Sequence, residues 1–151
     1  MRDVGVPLSK AETIKIFEKQ KHGTLAVNGD DGYPYAVPIS FVYINDTIIF
    51  HSSIAGHKLD RIRKDPKVSF CVIGQDNIVP DEFNTLYRSA IAFGKARIIE
   101  NNKEKREALR EILKKYSPDF MKSGEKYIDG EWDNVAVVII DIEHMTGKAG
   151  D

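Results

Sequence analysis

Residues 34–59, PYAVPISFVYINDTIIFHSSIAGHKL, indicate the fold of this chain more directly than any other stretch. The pattern predicts a strand, a hairpin turn at Asn45-Asp46, a second strand over residues 47–52 and a basic helix after Gly56. The first amides of a helix are unpaired and carry partial positive charge, so they attract anions. Serines, a glycine and Lys58 at such a helix start therefore predict a phosphate site.

Pro38 falls inside the first of these strands, residues 35–43. Proline has no N–H to donate to a strand ladder, so it is confined to edges, bulges or places where pairing is broken. Two interpretations stay open from the residues alone. Either this is an ordinary edge strand, or the ladder opens at Pro38 and leaves neighbouring backbone amides free for a planar ligand.

The whole chain predicts an antiparallel barrel with helices at its ends, because strands dominate and most connections are hairpins. The six predicted strands are residues 24–28, 35–43, 47–52, 68–74, 85–99 and 135–142. Gly94 predicts a bulge or a close backbone approach in the fifth of them. Two or three helices are expected, with these boundary residues: Ser9 and Gly23, Gly56 and Asp65, Asn101 or Asn102 and Ser117. The remaining stretches predict a loop over 75–84, mixed structure over 119–133 and a tail over 144–151.

Composition is that of an ordinary globular protein, and 151 residues predict one domain over 1–151. The 22 Lys and Arg nearly balance the 23 Asp and Glu, which argues against nucleic acid as a partner. The N-terminus has no apolar signal region, and no apolar run approaches the roughly 20 residues that span a bilayer. The lone Cys71 cannot form an internal disulfide. We therefore expect a cytoplasmic protein with no membrane partner.

The residues supply no self-contained catalytic set. The four histidines are too scattered for a zinc motif, so no metal is expected, and no glycine-rich nucleotide fingerprint follows a strand. No serine stands in a nucleophile-elbow context. Two explanations fit: the protein is a binding module, or a cofactor brings the chemistry while the protein positions it.

Five segments, in order, carry a resemblance to a known family: PYAVPISFVY, TIIFHSS, GHKLDRIRKDPKVSF, YRSAIAFGKARII and VAVVIIDIEHMTGK. Together they resemble the pyridoxamine 5′-phosphate oxidase-like FMN-binding split-barrel family over roughly residues 10–148, and within it the nitroimidazole-resistance (Nim-type) flavoproteins. The resemblance implies a mainly β fold with flanking helices, a six-stranded antiparallel split β-barrel. It also implies a homodimer with two FMN sites at the subunit interface.

The same resemblance implies a set of cofactor-binding residues. Those expected against the isoalloxazine are Ala36, Val37, Pro38, Ile39 and Ser40. Those expected toward the ribityl chain and phosphate are His51, Ser52, His57 and Lys58, and a polar residue from a later strand is Ser89. His51 resembles the histidine beside the flavin in Nim-type proteins and is the expected catalytic residue. Trp132 stays open between a core anchor and an aromatic that the partner subunit places near the ring.

From the residues alone, Lys58 is an exposed helix lysine, His51 ends a strand, and Ser52 and Ser53 are turn or cap residues. The resemblance reverses the first two interpretations and leaves Ser53 as a helix cap. Two departures from the oxidases stand out. They usually carry arginine where His57 stands, and their C-terminal basic motif, which holds the substrate phosphate, is replaced here by HMTGKAGD.

These departures favour the Nim-like branch over pyridoxamine phosphate oxidation. The expected function is an FMN-dependent oxidoreductase that passes electrons from NAD(P)H through FMN to a small acceptor such as a nitro-aromatic compound. The alternative is a non-catalytic flavin- or haem-binding module on the same fold.

Overall fold

Antiparallel strands make up 48% of the protein, which a computed structural model describes over residues 5–150. The strands are β1 (Val6–Pro7), β2 (His22–Asn28), β3 (Pro34–Ser40), β4 (Val42–Ile44), β5 (Thr47–Ser53), β6 (Lys67–Val79), β7 (Asn84–Ile98) and β8 (Val135–Gly150). The α-helices are α1 (Lys10–Lys19), α2 (His57–Lys64), α3 (Asn102–Tyr116) and α4 (Met121–Glu131). Within residues 5–150, no helix has the length and apolar character needed to cross a lipid bilayer.

One eight-stranded sheet runs in the order β3-β2-β6-β7-β8-β5-β4, and β1 pairs with β8. Over the described residues the sheet curls without closing, which confirms the predicted split barrel with flanking helices. The strand count differs from the predicted six for two reasons. The predicted strand 35–43 is broken at Phe41 into β3 and β4, and the two-residue β1 adds itself to β8.

Residues 48–50 of β5 and residues 136–140 of β8 are buried on both faces of the sheet. Ile48 and Phe50 of β5 belong to the core inside the barrel, whereas Ile49 belongs to a second cluster beneath α3 and α4. In β8, Val138 points to the inner core and Val137 to the outer cluster. Burial on both faces explains the uninterrupted β-branched runs in both strands. It also places α3 and α4 on the outer face of β5 and β8.

Several local predictions are confirmed. Ser9 caps α1, and its Oγ accepts the Glu12 N–H at 3.1 Å. Asn101 caps α3 in the same way, accepting the Glu104 N–H at 3.0 Å. The β7–β8 register shifts at Gly94, where an added Cβ would lie 2.1 Å from the Asp141 carbonyl oxygen.

Other predictions are wrong at element ends. The predicted loop 75–84 is mostly strand, because residues 75–79 of β6 pair with residues 84–88 of β7 in an exposed hairpin. The predicted tail is also strand, since β8 continues to Gly150 against β7. Helix α1 ends at Lys19, and Gly23 lies within β2. The mixed stretch 119–133 contains the full helix α4, which brings the helices to four.

The last turn of α3 holds the break between β3 and β4. The Lys115 ammonium donates to the Phe41 carbonyl oxygen at 2.9 Å and also to the Gln20 carbonyl. The Tyr116 hydroxyl accepts the Phe41 N–H at 3.0 Å and contacts the carbonyls of Phe41 and Lys21. Burial lowers the pKa of Lys115 to about 8.

This burial predicts an alkaline rise in stability. The ordinary Lys115 pKa of 10.5 stands for the unfolded chain, so between about pH 8 and pH 10.5 the unfolded state binds the extra proton. The free energy of unfolding therefore rises with pH across this window because of Lys115, and is independent of Lys115 titration below it. We expect urea unfolding at pH 7–10 to show this gain in the native protein relative to Lys115→Met. Lys114→Met, at an exposed neighbour, should follow the native curve; a constant difference between native protein and Lys115→Met would contradict the assignment.

Candidate functional site

The barrel opens between β3 and β5. Over the described residues, β3 pairs only with β2, and β5 beyond Ile49 pairs only with β8. Residues of both free edges line one cavity of about 370 Å³, Ser40 from β3 and His51 from β5.

The free edge of β3 presents a sparse set of hydrogen-bond donors. The Phe41 N–H points to β2, where it also donates to the Lys21 carbonyl, so the amides of residues 34, 36, 38 and 40 face outward by alternation. Pro34 and Pro38 have no N–H. Ala36 and Ser40 therefore supply the outward donors of this edge.

The two interpretations of Pro38 are now resolved. The β2–β3 register runs without a shift from His22 opposite Ser40 to Asn28 opposite Pro34, and Pro38 stands opposite Thr24. The ladder does not open at Pro38, so that interpretation is wrong and the edge-strand interpretation is confirmed. The free amides exist because β3 is an edge. Ile39 is buried in the barrel core, and by the same alternation its backbone N–H and C=O point to β2 and not to the free edge.

His51 projects to the outer face of β5, next to α3 and α4. Its cavity is lined by Ser40, His51, Leu109, Ile112, Leu113, Tyr116, Ser117, Tyr127, Ile128, Glu131 and Val135. The His51 side chain is exposed by area, yet the protein around it displaces water and lowers the pKa of its imidazole. At neutral pH the ring therefore favours its uncharged form, with one donor and one acceptor nitrogen.

The turn between β5 and α2 leaves the start of the helix uncapped. Ser52 is buried, and its hydroxyl donates to the Ser53 carbonyl at 3.0 Å. The Ser53 hydroxyl donates to the Ala55 carbonyl at 2.8 Å, so the prediction that Ser53 caps the helix is wrong. The N-cap is Gly56, with no side-chain hydrogen bond to the first amides. Those amides remain available to an anion.

Basic side chains follow on α2. Among residues 5–150, His57 and Lys58 have no side-chain hydrogen bond or ion pair, and Lys58 is half-buried. One turn later, the Arg61 guanidinium lies 5.2 Å from the Tyr35 ring centroid and forms a 3.3 Å ion pair with Asp30. Its buried Nε has no hydrogen-bond partner in this part of the chain. The sequence analysis missed Arg61; its spacing of four from His57 places both on one face of the helix.

Asp30 is the acidic neighbour of these cations. The Lys64 hydrogen bond at 3.1 Å, followed by the charges of Lys64 and Arg61, lowers the pKa of Asp30. The carboxylate balances part of the positive charge of α2 and orients Arg61 and Lys64.

One chain does not bring all the predicted residues together. Ser89 pairs with Ile73 and Lys148, far along β8 from Val137, the partner of His51. Trp132 packs against the outer cluster, with the Lys105 Nζ 4.4 Å from its ring centroid. Trp132 therefore acts as an anchor within its own chain, and its contact with a flavin stays a prediction.

The helical wall of the cavity escaped the sequence analysis. None of its residues, Tyr116, Tyr127 and Glu131 among them, was predicted to line a ligand site. The helical spacing of Tyr127, Ile128 and Glu131 could have indicated one helix face, but not that this face meets β5.

The chain belongs to the pyridoxamine 5′-phosphate oxidase family, whose sequence model matches residues 9–149. It is similar to the structure of a proposed 5-nitroimidazole antibiotic resistance protein from Bacteroides thetaiotaomicron, with 28% identity, TM-score 0.85, and coverage of 99% of this chain and 89% of that one. These findings confirm the resemblance. Among curated proteins, no sequence matches this chain.

Two more distant structures share the fold. An FAD-binding protein from Mesorhizobium loti is 22% identical, with TM-score 0.71 and coverage of 98% of this chain and 99% of that one. The flavocytochrome Anf3 from Azotobacter vinelandii is 20% identical, with TM-score 0.78 and coverage of 95% and 68%. At these identities the likeness shows a shared fold.

The geometry at Gly56 yields a stability prediction. Its φ of 149° and ψ of 162° lie in a region that is essentially restricted to glycine, although no atom would crowd an added Cβ. We expect Gly56→Ala to lower the free energy of unfolding by about 1–3 kcal/mol, measured by urea denaturation. Gly130→Ala, in α4 with open space around it, should raise it by about 0.5–1 kcal/mol. Equal stability of native protein and Gly56→Ala would show that the turn is not strained.

Proposed function

We propose that this protein is an FMN-binding oxidoreductase whose flavin occupies the split between β3 and β5. The observation that carries the proposal is the meeting of Ser40 and His51 at one cavity, with His57 and Lys58 beginning α2 shortly after β5 ends. The cavity would hold a planar ring and the start of α2 would hold a phosphate. A flavin mononucleotide has these two parts, joined by a short chain. When bound, the flavin supplies the redox chemistry, which these side chains cannot provide alone.

The donors of the β3 edge fit the ring. The outward amide of Ser40, at the cavity, can donate to a carbonyl or nitrogen acceptor of an isoalloxazine, and the outward amide of Ala36, about 13 Å further along the strand, would meet a different part of the flavin. Fixed backbone donors at such a position favour the more negative form of a bound group. His51 is uncharged at neutral pH and can hold a proton at one ring nitrogen while accepting at the other.

The start of α2 fits the phosphate. Lys58 contributes a positive charge, and the uncapped amides after Gly56 contribute donors. An imidazole at His57 is a weaker phosphate ligand than a guanidinium. Arg61 places a guanidinium one turn further along, with an unpaired Nε, and this would offset the difference.

A homodimer would complete the site. Ser89 and His51 lie at opposite ends of the β8 pairing in one chain, so a second copy would be needed to bring Ser89 to the same flavin. The β6–β7 hairpin exposes the apolar side chains Ile73, Ile78 and Phe83, with 61%, 73% and 83% of their surface accessible. Apolar surface of this kind favours association with a second copy.

The acceptor is proposed from the family branch. Similarity at 28% identity to a proposed 5-nitroimidazole resistance protein supports a small nitro-aromatic acceptor, reduced at the expense of NAD(P)H in the cytoplasm. The near-neutral charge supports the absence of nucleic-acid and membrane partners.

A non-catalytic flavin- or haem-binding module is the second candidate. It is favoured by the likeness of fold to a flavocytochrome and to an FAD- and haem-binding protein from Mycobacterium smegmatis. A binding module of this kind could hold FAD in place of FMN.

The absorption spectrum of the purified protein separates these functions. An oxidised flavin spectrum, with mass spectrometry of the released cofactor giving FMN, is expected. NAD(P)H oxidation with a nitro-aromatic acceptor should exceed that of free FMN at equal concentration. A haem spectrum, or protein that stays colourless after FMN is added, would refute the proposal, and flavin without turnover would support the binding module.

Lys58→Ala tests the phosphate assignment. Loss of a charge-assisted hydrogen bond should weaken FMN binding by about 1–3 kcal/mol, measured by quenching of flavin fluorescence on titration. Lys122→Ala removes an exposed lysine from α4 and should leave the dissociation constant unchanged. An unchanged constant for Lys58→Ala would place the phosphate elsewhere.

A further inference from the structure

We propose that the cavity beneath α3 and α4 binds a single aromatic ring that is neutral or positively charged, and that Glu131 discriminates against anions. This inference rests on the proposed function. The flavin would lie along the β3 edge and meet the cavity at Ser40 and His51, and the ring of the electron acceptor would occupy the helical side of the cavity, near Leu109, Tyr127 and Glu131. It concerns a helical wall to which the sequence analysis assigned no ligand.

The size and walls of the cavity define the ligand class. Its volume of about 370 Å³ lies near the lower end of the range of roughly 300–1,000 Å³ for small-molecule sites. Leu109 and Ile128 are nearly buried members of the outer core cluster, so this part of the wall is fixed by packing. Tyr127 stands at the rim with 73% of its surface exposed. Such walls suit one aromatic ring, which aromatic and branched side chains contact favourably.

The residues that line the cavity carry negative charge and little positive charge. Glu131 is the only carboxylate among the lining residues, and none of them is Lys or Arg. Its Oε2 accepts a long 3.4 Å hydrogen bond from Asn134, whereas no described residue donates to Oε1. His51 adds little positive charge at neutral pH. The Tyr116 hydroxyl is engaged at Phe41. A ligand with a positive group or a polar hydrogen therefore meets an acceptor, and an anion meets repulsion.

Gly124 controls the shape of the cavity from behind. A Cβ at Gly124 would lie 2.7 and 2.8 Å from the two methyl groups of Leu113, which lines the cavity. Gly124→Ala must therefore displace Leu113. Gly130 on the same helix has no atom within 4 Å of an added Cβ. The pair Gly124→Ala and Gly130→Ala thus makes the same chemical change with and without a change in the cavity wall.

The test uses three probes of one ring size and different charge: benzylammonium, benzyl alcohol and benzoate. Trp132, the only tryptophan, packs against the outer cluster that contains the lining residues Leu109 and Ile128, so its indole N–H resonance in a ¹⁵N spectrum reports binding. Titrations are run on the protein as purified and on the protein saturated with FMN. We expect benzylammonium and benzyl alcohol to bind at least about tenfold more tightly than benzoate, the factor that corresponds to about 1.4 kcal/mol.

The variants assign the effect to the cavity. Glu131→Gln should bring the benzoate and benzylammonium constants within about threefold of each other, because the carboxylate charge is gone and the shape is kept. Gly124→Ala should weaken all three probes, whereas Gly130→Ala should match the native protein. Glu131→Gln remains informative if Gly124→Ala fails to fold.

The outcomes separate this inference from the flavin proposal. No probe-dependent shift, or charge preference unchanged in Glu131→Gln, overturns the cavity assignment even if FMN binds. A cavity already filled by a second copy of the chain would give the first of these results. Probe binding in a protein that takes up no FMN would support the aromatic site and refute the flavin.

Discussion

The structure depends on the hydrogen bonds that hold the backbone at Phe41. The phenyl ring of Phe41 is fully buried, and its backbone is bound by Lys115 and Tyr116 from the last turn of α3. Helix α3 holds this corner from outside the sheet, where the chain passes from β3 at one end of the strand order to β4, paired with β5, at the other end. The same helix also covers the cavity between β3 and β5. The hydrogen bonds at Phe41 therefore fix both the position of this opening and the position of the helix that covers it.

The sequence allowed the fold to be predicted where a signal was local. Caps at Ser9 and Asn101 and the bulge at Gly94 depend on a few neighbouring residues, and all three were recognised. The ends of β6 and β8 were missed because their sequences, QDNIV and HMTGKAG, are rich in polar and small residues, as loop sequences are. Only the pairing of both segments with β7 distinguishes a strand from a loop here.

The candidate site could be predicted only along the stretch that is continuous in sequence. Ser40, His51 and the start of α2 all lie within residues 34–59, and their order was enough to suggest a ring and a phosphate. Glu131 reaches the same cavity from a distant helix, and no pattern within its own segment connects it to His51. Ser89 was carried over from a resemblance that refers to an assembly of two chains, so one chain leaves it far from His51.

The two prolines of β3 affect the tendency of the protein to aggregate at high concentration. An open strand edge is a template on which another chain can add a strand, and such addition leads to aggregation. With Pro34 and Pro38 at outward positions, the edge lacks every second N–H that an incoming strand would need. The edge can therefore stay accessible to small molecules while remaining a poor start for fibrous assembly.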